Sequence, residues 1–146
     1  MASSHKLLAT SFWLPQLTRV YLITLKNFGV KNFKQLTIWQ KGMNIAVNCF
    51  KLTVTFPEHL KYGLSAQVNK SGVSIPSNIA EGNSRKSEKD KARFIEISLG
   101  SSFELETQLL IAQKAGFGNQ ELLKQVILEV AEEQKMLMTF YDRLKP

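Results

Sequence analysis

The 146-residue chain is 44% hydrophobic and 21% charged, which is typical of a globular domain long enough to bury its own core. A single cysteine, Cys49, and two histidines exclude an internal disulfide framework and a Cys/His zinc site within one chain. The formal net charge of +7 comes entirely from residues 1–57, which hold seven Lys/Arg and no acid, because residues 58–146 hold twelve of each sign. This basic balance favours an anionic partner, nucleic acid first, although it would equally aid solubility alone.

Residues 1–31 mix apolar side chains with scattered Lys and Arg. Pro15 and Arg19 interrupt the apolar run well before the roughly 20 residues that a membrane-spanning helix needs. No A-x-A cleavage site supports a secretory signal, and the single arginine of this segment gives little support to a transit peptide. We interpret residues 1–31 as an N-terminal extension, loosely ordered or docked on a partner, of a cytoplasmic protein without membrane contact. A translation start placed too far upstream would give the same pattern.

The first helix is predicted over residues 32–54. Its apolar residues follow the 3-4-3-4 spacing of a bundle seam: Leu36, Trp39, Met43, Ala46 and Phe50. Asn32 is suited to cap the start of this helix. The β-branched residues Thr53, Val54 and Thr55 predict fraying at its end.

The second helix is predicted over about residues 58–82. Thr55 and Glu58 have the spacing of a capping box, and Gly82 is a natural stop. The apolar face of this helix consists of Leu64, Val68, Ile75 and Ile79.

The sequence of residues 74–82, Ser-Ile-Pro-Ser-Asn-Ile-Ala-Glu-Gly, is unusual for a helix. Pro76 lacks a backbone N–H and crowds the carbonyl of Gly72, so we expect a bent helix in which the small Gly72 relieves the clash. Asn78 and Glu81 are three residues apart and share a face that bears polar groups.

The third helix is predicted over residues 88–115, with Ser87 as its cap and Asp90 completing a capping box. Apolar residues occur on several sides of this helix, which predicts burial by more than one neighbour. Gly100 in its middle costs about 1 kcal/mol relative to alanine, and we expect it to allow the close approach of another helix.

The fourth helix follows the cap Asn119 and carries one apolar stripe: Leu123, Val126, Ile127, Val130, Leu137, Phe140, Tyr141 and Leu144. Glu133 and Gln134 interrupt the stripe, which predicts either a polar layer or an exposed stretch. Four long helices with short joins predict an all-α, up-down-up-down four-helix bundle over residues 32–146.

No motif in the chain supports an enzyme. The Glu-x-x-His pairs of di-metal bundles, the G-x-S-x-G of hydrolases and the P-loop are all absent from the sequence, and we expect no catalytic residue, metal or cofactor. We interpret Asn78, Glu81, Ser101 and Glu104, together with Arg85, as a structural polar layer between the second and third helices, because buried polar groups need partners.

The stretch 74–82, followed by Arg85, Gly100-Ser101 and Glu104-Leu-Glu-Thr107, resembles the four-helix bundle proteins encoded in intervening sequences of bacterial 23S ribosomal RNA genes. Further matches in the opening pattern extend the resemblance over about residues 32–145. It implies a ring-shaped homopentamer and kinship with the accessory variability protein of diversity-generating retroelements, which engages a reverse transcriptase and nucleic acid. The chain departs from the family in having Val68-Asn69 where consecutive basic residues are common, and Gly42 where alanine is usual.

Charge and resemblance together suggest a non-catalytic homo-oligomer that binds RNA, DNA or an RNA-handling protein, such as a reverse transcriptase or a ribosomal component. The candidate nucleic-acid-binding residues are Lys70, Arg85, Lys86, Lys89, Lys91 and Arg93. Five copies in a ring would join these patches into a basic rim, which Lys31, Lys34 and Lys41 could extend. Glu88 and Asp90 lie among the cations, and an ordinary solvated helix start has the same composition. The alternative function is a purely structural protein–protein interaction module without nucleic-acid binding.

Overall fold

The computed structural model of the protein describes residues 32–144. This part of the chain forms four α-helices: α1 Thr37–Thr53, α2 Leu64–Asn83, α3 Glu88–Ala115 and α4 Gln120–Leu144. Short 3-10 turns, Phe33–Gln35 and Glu58–Leu60, precede α1 and α2. Consecutive helices pack on one another, and α4 also packs on α1, which closes the bundle. The predicted all-α four-helix bundle is confirmed, whereas the interpretation of residues 1–31 lies outside the described residues.

The first two helices begin later than predicted. Asn32 caps the first 3-10 turn, by accepting a hydrogen bond from the Lys34 amide at 3.2 Å, and α1 itself starts only at Thr37. The predicted capping box at Thr55 is wrong, because the Thr55 hydroxyl donates to the Leu52 carbonyl at 2.6 Å and accepts from the Asn119 amide at 2.9 Å. Thr55 therefore ties the end of α1 to the start of α4 instead of opening α2.

The predicted core face of α1 is only partly correct: Ala46 is buried and Leu36 and Trp39 pack against the core, but two other residues of the face are exposed. Phe50 is 51% exposed and Met43 is 38% exposed, although both belong to the predicted seam. The buried residues of α1 lie on a neighbouring face and are Ile38, Gly42, Ile45, Ala46, Cys49 and Leu52. The apolar spacing on the two faces is similar, so periodicity alone does not choose between them. The structure buries the face with smaller residues because α2 approaches it closely.

Two glycines make this close approach of α1 and α2 possible. A Cβ atom on Gly72 would lie 2.9 Å from the Sγ atom of Cys49, and one on Gly42 would lie 3.2 Å from Cγ2 of Ile75. Pro76 is buried inside α2 beside Gly42. The absence of a side chain at Gly72 therefore makes room for Cys49. Relief of the proline clash by Gly72 stays a prediction.

The start of α3 is as predicted. The Ser87 hydroxyl accepts from the Asp90 amide at 3.1 Å and donates to the Asp90 carboxylate at 2.7 Å, and the helix ends at Gly116, whose φ is 72°. In contrast, no helix within residues 32–144 makes the close approach expected at Gly100, because a Cβ atom there would meet none of their atoms within 4 Å. Part of the apolar surface of α3 also remains exposed in the single chain, namely Ile97, Phe103, Leu110 and Ile111.

The stripe of α4 fills the centre of the bundle. Leu123, Val126, Val130 and Leu137 are fully buried, and Asn119 caps the helix by accepting from the Leu122 amide at 3.0 Å, as predicted. Glu133 continues the stripe and is likewise 0% exposed. Of the two predictions for this point in α4, the exposed stretch is therefore wrong for Glu133.

Candidate functional site

The end of α2 and the start of α3 bring most of the predicted nucleic-acid-binding cations to one end of the bundle. Two of them interact within the chain. The Arg85 guanidinium lies 2.7 Å from the Glu81 carboxylate and 4.6 Å from the ring centre of Phe94, and the Lys91 ammonium lies 2.5 Å from Glu88. Both pairs join partly exposed side chains within one helical turn, and such pairs stabilise a fold by about 0–1 kcal/mol.

Three further cations, Lys86, Lys89 and Arg93, are exposed. No carboxylate of the described residues lies within ion-pair distance of any of them. Lys89 and Arg93 are four residues apart in α3, and so share a face of the helix. We call Lys86, Lys89 and Arg93 the α3 cation cluster. Its ammonium and guanidinium groups are free to bind phosphate.

The structure does not bring Lys70 to this cluster. Ser74 of α2 contacts Ser101 of α3, so Lys70, one turn further back in the antiparallel α2, lies level with about residue 105. That level is sixteen residues along α3 from Lys89, which corresponds to about 24 Å. Lys41 is also separate, because its ammonium pairs with Glu132 of α4.

The described bundle is nearly neutral as a whole. Residues 32–144 hold fourteen Lys/Arg and twelve Asp/Glu, so most of the +7 charge belongs to the rest of the chain. Any affinity of the bundle for a polyanion therefore depends on the local arrangement of cations and not on net charge.

The unusual stretch in α2 forms a hydrogen-bonded chain to α3. The Asn78 amide donates to the Ser74 hydroxyl at 2.9 Å and to the Ser74 carbonyl at 2.8 Å. The Ser74 and Ser101 hydroxyls are 2.8 Å apart, and Ser101 donates to the Ile97 carbonyl at 3.0 Å. This chain of donors and acceptors joins the two helices at a half-buried position, so Asn78 and Ser101 of the predicted polar layer do act together, through Ser74.

The two carboxylates of the predicted polar layer are exposed in the single chain. Glu81 pairs with Arg85 one turn away, and Glu104 accepts from the Gln108 amide at 3.2 Å. The other side-chain atom of Gln108, its Oε1, is buried without a hydrogen-bond partner among the described residues. Whether Glu81 and Glu104 hold an assembly together stays a prediction.

Glu133 is a further candidate residue, for which the sequence predicts either a polar layer or an exposed stretch. Its carboxylate is fully buried, and neither of its oxygens has a hydrogen-bond partner in the described part of the chain. Desolvation raises the pKa of Glu133 from 4.5 to about 8, while Lys41 lowers it and Glu132 raises it further. The signal was present in the sequence, because Val126, Val130, Glu133 and Leu137 continue one buried stripe with 4-3-4 spacing.

An apolar stripe remains uncovered on the outside of α1. Its four residues are spaced along one face over three turns: Met43, Val47, Phe50 and Val54, which are 38%, 46%, 51% and 85% exposed. We call these four residues the α1 outer stripe. Single exposed apolar residues are ordinary, but a contiguous patch of them indicates an interaction surface.

Within residues 32–144, no three His, Cys, Asp or Glu side chains come together as metal ligands. None of the helices that the structure describes is both long and apolar enough to cross a bilayer.

The family model of the 23S rRNA-intervening sequence proteins matches residues 34–139 of the chain. A solved structure of similar fold is that of a protein of unknown function from the S23 ribosomal protein family of Bacteroides thetaiotaomicron. It has 24% sequence identity and a TM-score of 0.65, and the match covers 72% of this chain and 98% of that one. No curated protein matches the chain. At this identity the structural likeness bears on the fold alone.

Proposed function

The chain belongs to the family of 23S rRNA-intervening sequence proteins, and from this premise we propose that it is a non-catalytic, self-assembling bundle that binds nucleic acid in the bacterial cytoplasm. The observation that carries the proposal is the α1 outer stripe. Covering these apolar side chains with a second copy of the same chain removes them from water, at about 25 cal/mol for each Å² buried. The exposed apolar residues of α3 offer a second face of the same kind.

The proposed number of copies is five, in keeping with the family resemblance of the stretch 74–82. Contacts between unlike faces of successive copies close into a ring when the rotation between copies allows it. Faces on α1 and α3 of one bundle can supply such unlike contacts, because α1 and α3 pack on α2 from different sides.

We expect the full chain to be an oligomer at micromolar concentration, and the double variant Val47→Lys/Phe50→Lys to be a monomer that keeps its helical circular dichroism. Two lysines on the α1 outer stripe would have to be buried as charges in any interface formed there, which is unfavourable. Light scattering coupled to gel filtration measures the mass directly. Leu128→Lys is the matched control, since Leu128 is a single exposed residue of α4, 72% exposed. A monomeric wild-type protein would contradict the proposal.

Nucleic-acid binding is supported by a separate observation, the α3 cation cluster. Three exposed cations without carboxylate partners among the described residues can each contact a phosphate, and repetition in an oligomer multiplies the contacts. Such contacts are independent of sequence and are displaced by salt.

We expect weak, non-specific RNA or DNA binding, and the triple variant Lys86→Ser/Lys89→Ser/Arg93→Ser should bind more weakly and with a flatter salt dependence. The slope of log K against log salt is negative. Each phosphate contact removed reduces its magnitude by about 0.9 on duplex DNA and about 0.7 on single strands. Fluorescence anisotropy at several salt concentrations measures that slope. Lys124→Ser/Lys135→Ser removes two exposed cations of α4 and should leave the slope unchanged. Equal slopes for the wild type and the triple variant would contradict a role for the cluster.

The second candidate function is a protein–protein interaction module without nucleic-acid binding. The near neutrality of the described bundle favours it. An oligomer that fails to bind RNA and DNA even at about 50 mM salt, where phosphate contacts are strong, would identify this alternative as the correct one.

A further inference from the structure

Glu133 points into the bundle between α1 and α3. The residue before it, Glu132, pairs with Lys41 of α1, and the residue after it, Gln134, donates to the Glu106 carboxylate of α3 at 2.8 Å. Successive residues of a helix are 100° apart, so the side chain between these two faces the interior. Its neighbours along the stripe, Val130 and Leu137, are fully buried aliphatic residues.

The surroundings of Glu133 offer an ionised carboxylate no compensation by hydrogen bonding. Neither carboxylate oxygen has a hydrogen-bond partner among residues 32–144. The two buried serine hydroxyls of α3 donate elsewhere, that of Ser98 to the Ile75 carbonyl at 3.0 Å and that of Ser102 to the Leu99 carbonyl at 2.6 Å. A neutral carboxylic acid tolerates such a site much better than a carboxylate does.

We propose that Glu133 makes the stability of the bundle depend on a proton: the folded bundle holds the neutral acid, and loss of the proton weakens the packing of α4 against α1 and α3. The proton is taken up from water on folding and returned to it on ionisation. The consequence is a pH-sensitive switch inside the core, independent of the function proposed above.

The direction of the effect follows from proton binding in the two states. The folded pKa of about 8 lies above the ordinary value of 4.5, so between these limits the folded state binds more protons than the unfolded state. Stability is therefore greatest at low pH, falls as the pH rises from about 4.5 to about 8, and changes little from this group above that.

Few other ionisable groups affect the pKa of Glu133. The ammonium of Lys41 faces it from α1 and lowers its pKa, whereas Glu132 of α4 raises it. From α3, the Glu106 carboxylate accepts from the adjacent Gln134, and no group of α3 is among the causes of the raised pKa of Glu133. The buried thiol of Cys49 on α1 has a pKa raised to about 12 and stays protonated throughout the range. The buried residues of α2 include no ionisable side chain.

Thermal unfolding of the full chain from pH 5 to pH 9 tests the proposal, with Glu133→Gln as the isosteric variant that cannot ionise. The unfolding constant of the wild type, divided by that of Glu133→Gln, should rise by up to about tenfold per pH unit between pH 5 and pH 8. Glu132→Gln removes a carboxylate whose side chain is 61% exposed, and the profile should stay steep, with its upper end moved to lower pH because Glu132 raises the pKa of Glu133. Parallel profiles for the wild type and Glu133→Gln would overturn the proposal.

Two further measurements keep the test independent of how well one variant folds. Glu133→Met also removes ionisation, with a side chain of similar length, and should give the same flat profile if Glu133→Gln does not fold. Lys41→Gln removes the cation that favours the carboxylate, so the midpoint of the wild-type profile should move to higher pH. A carbon-13 titration of the Glu133 carboxyl with a midpoint near its ordinary 4.5 would also overturn the proposal.

Discussion

Gly72→Ala is expected to destabilise the bundle by about 1–3 kcal/mol, although glycine-to-alanine exchanges inside helices usually stabilise. The added methyl would lie 2.9 Å from Sγ and 3.3 Å from Cβ of the buried Cys49. Since atoms do not pack at 2.9 Å from such a methyl, α1 and α2 have to move apart. Chemical denaturation measured by circular dichroism gives the free energy of unfolding directly.

The chain offers a matched control for this prediction in Gly100→Ala. Gly100 is also helical, but a Cβ atom there meets nothing within 4 Å, so this exchange should stabilise by about 0.5–1 kcal/mol. A second control is the double variant Gly72→Ala/Cys49→Ala, in which the missing Sγ atom makes room and the two changes are not additive. Equal effects of Gly72→Ala and Gly100→Ala would contradict the close approach of α1 and α2.

Leu105→Ala is expected to have the largest effect of a single substitution, about 2–5 kcal/mol of lost stability. Leu105 lies in α3 and is 0% exposed, so the substitution leaves a cavity in the centre of the core. Leu128→Ala is its control, because Leu128 is 72% exposed and removes little buried surface when shortened. The melting temperature should fall by about 2–8 °C for each kcal/mol lost, since the size of this bundle lies between those of small and large domains. Similar melting temperatures for the two variants would show that Leu105 does not belong to the core.

The sequence was most informative where structure is local. The caps at Ser87 and Asn119 and the buried stripe of α4 depend on residues within a few positions of one another, and all of these predictions are confirmed. Residue spacing was equally sufficient for the class of fold, because four long amphipathic helices with short connections have few ways to bury their apolar faces.

Predictions were wrong where the local structure depends on a contact with a residue that is distant in the sequence. Thr55 has the spacing of a cap for α2, but it is used by the Asn119 amide instead, 64 residues further along the chain. The buried face of α1 depends on how closely α2 approaches, and that distance is set by Gly72 and Cys49 together. No periodicity within α1 contains this information.

Only part of the candidate site was predicted, because the rest depends on contacts between helices. The clustering of Lys86, Lys89 and Arg93 follows from their nearness in the chain, whereas the separation of Lys70 from them follows from the antiparallel packing of α2 and α3. The burial of the carboxylates was predicted only in part. Glu81 and Glu104, assigned to a polar layer, are exposed, whereas Glu133 is fully buried, because burial depends on the neighbouring helices.

Because Cys49 is buried, the reactivity of its thiol reports the opening of the bundle. This is the one cysteine in the sequence, it is 0% exposed, and burial, with a smaller contribution from Glu129, raises its thiol pKa to about 12. The thiolate is the form that attacks alkylating reagents, so Cys49 in the folded bundle should react extremely slowly and in the opened chain at the ordinary rate. The rate of Cys49 alkylation under native conditions therefore reports how often the bundle opens around this residue, without an engineered probe.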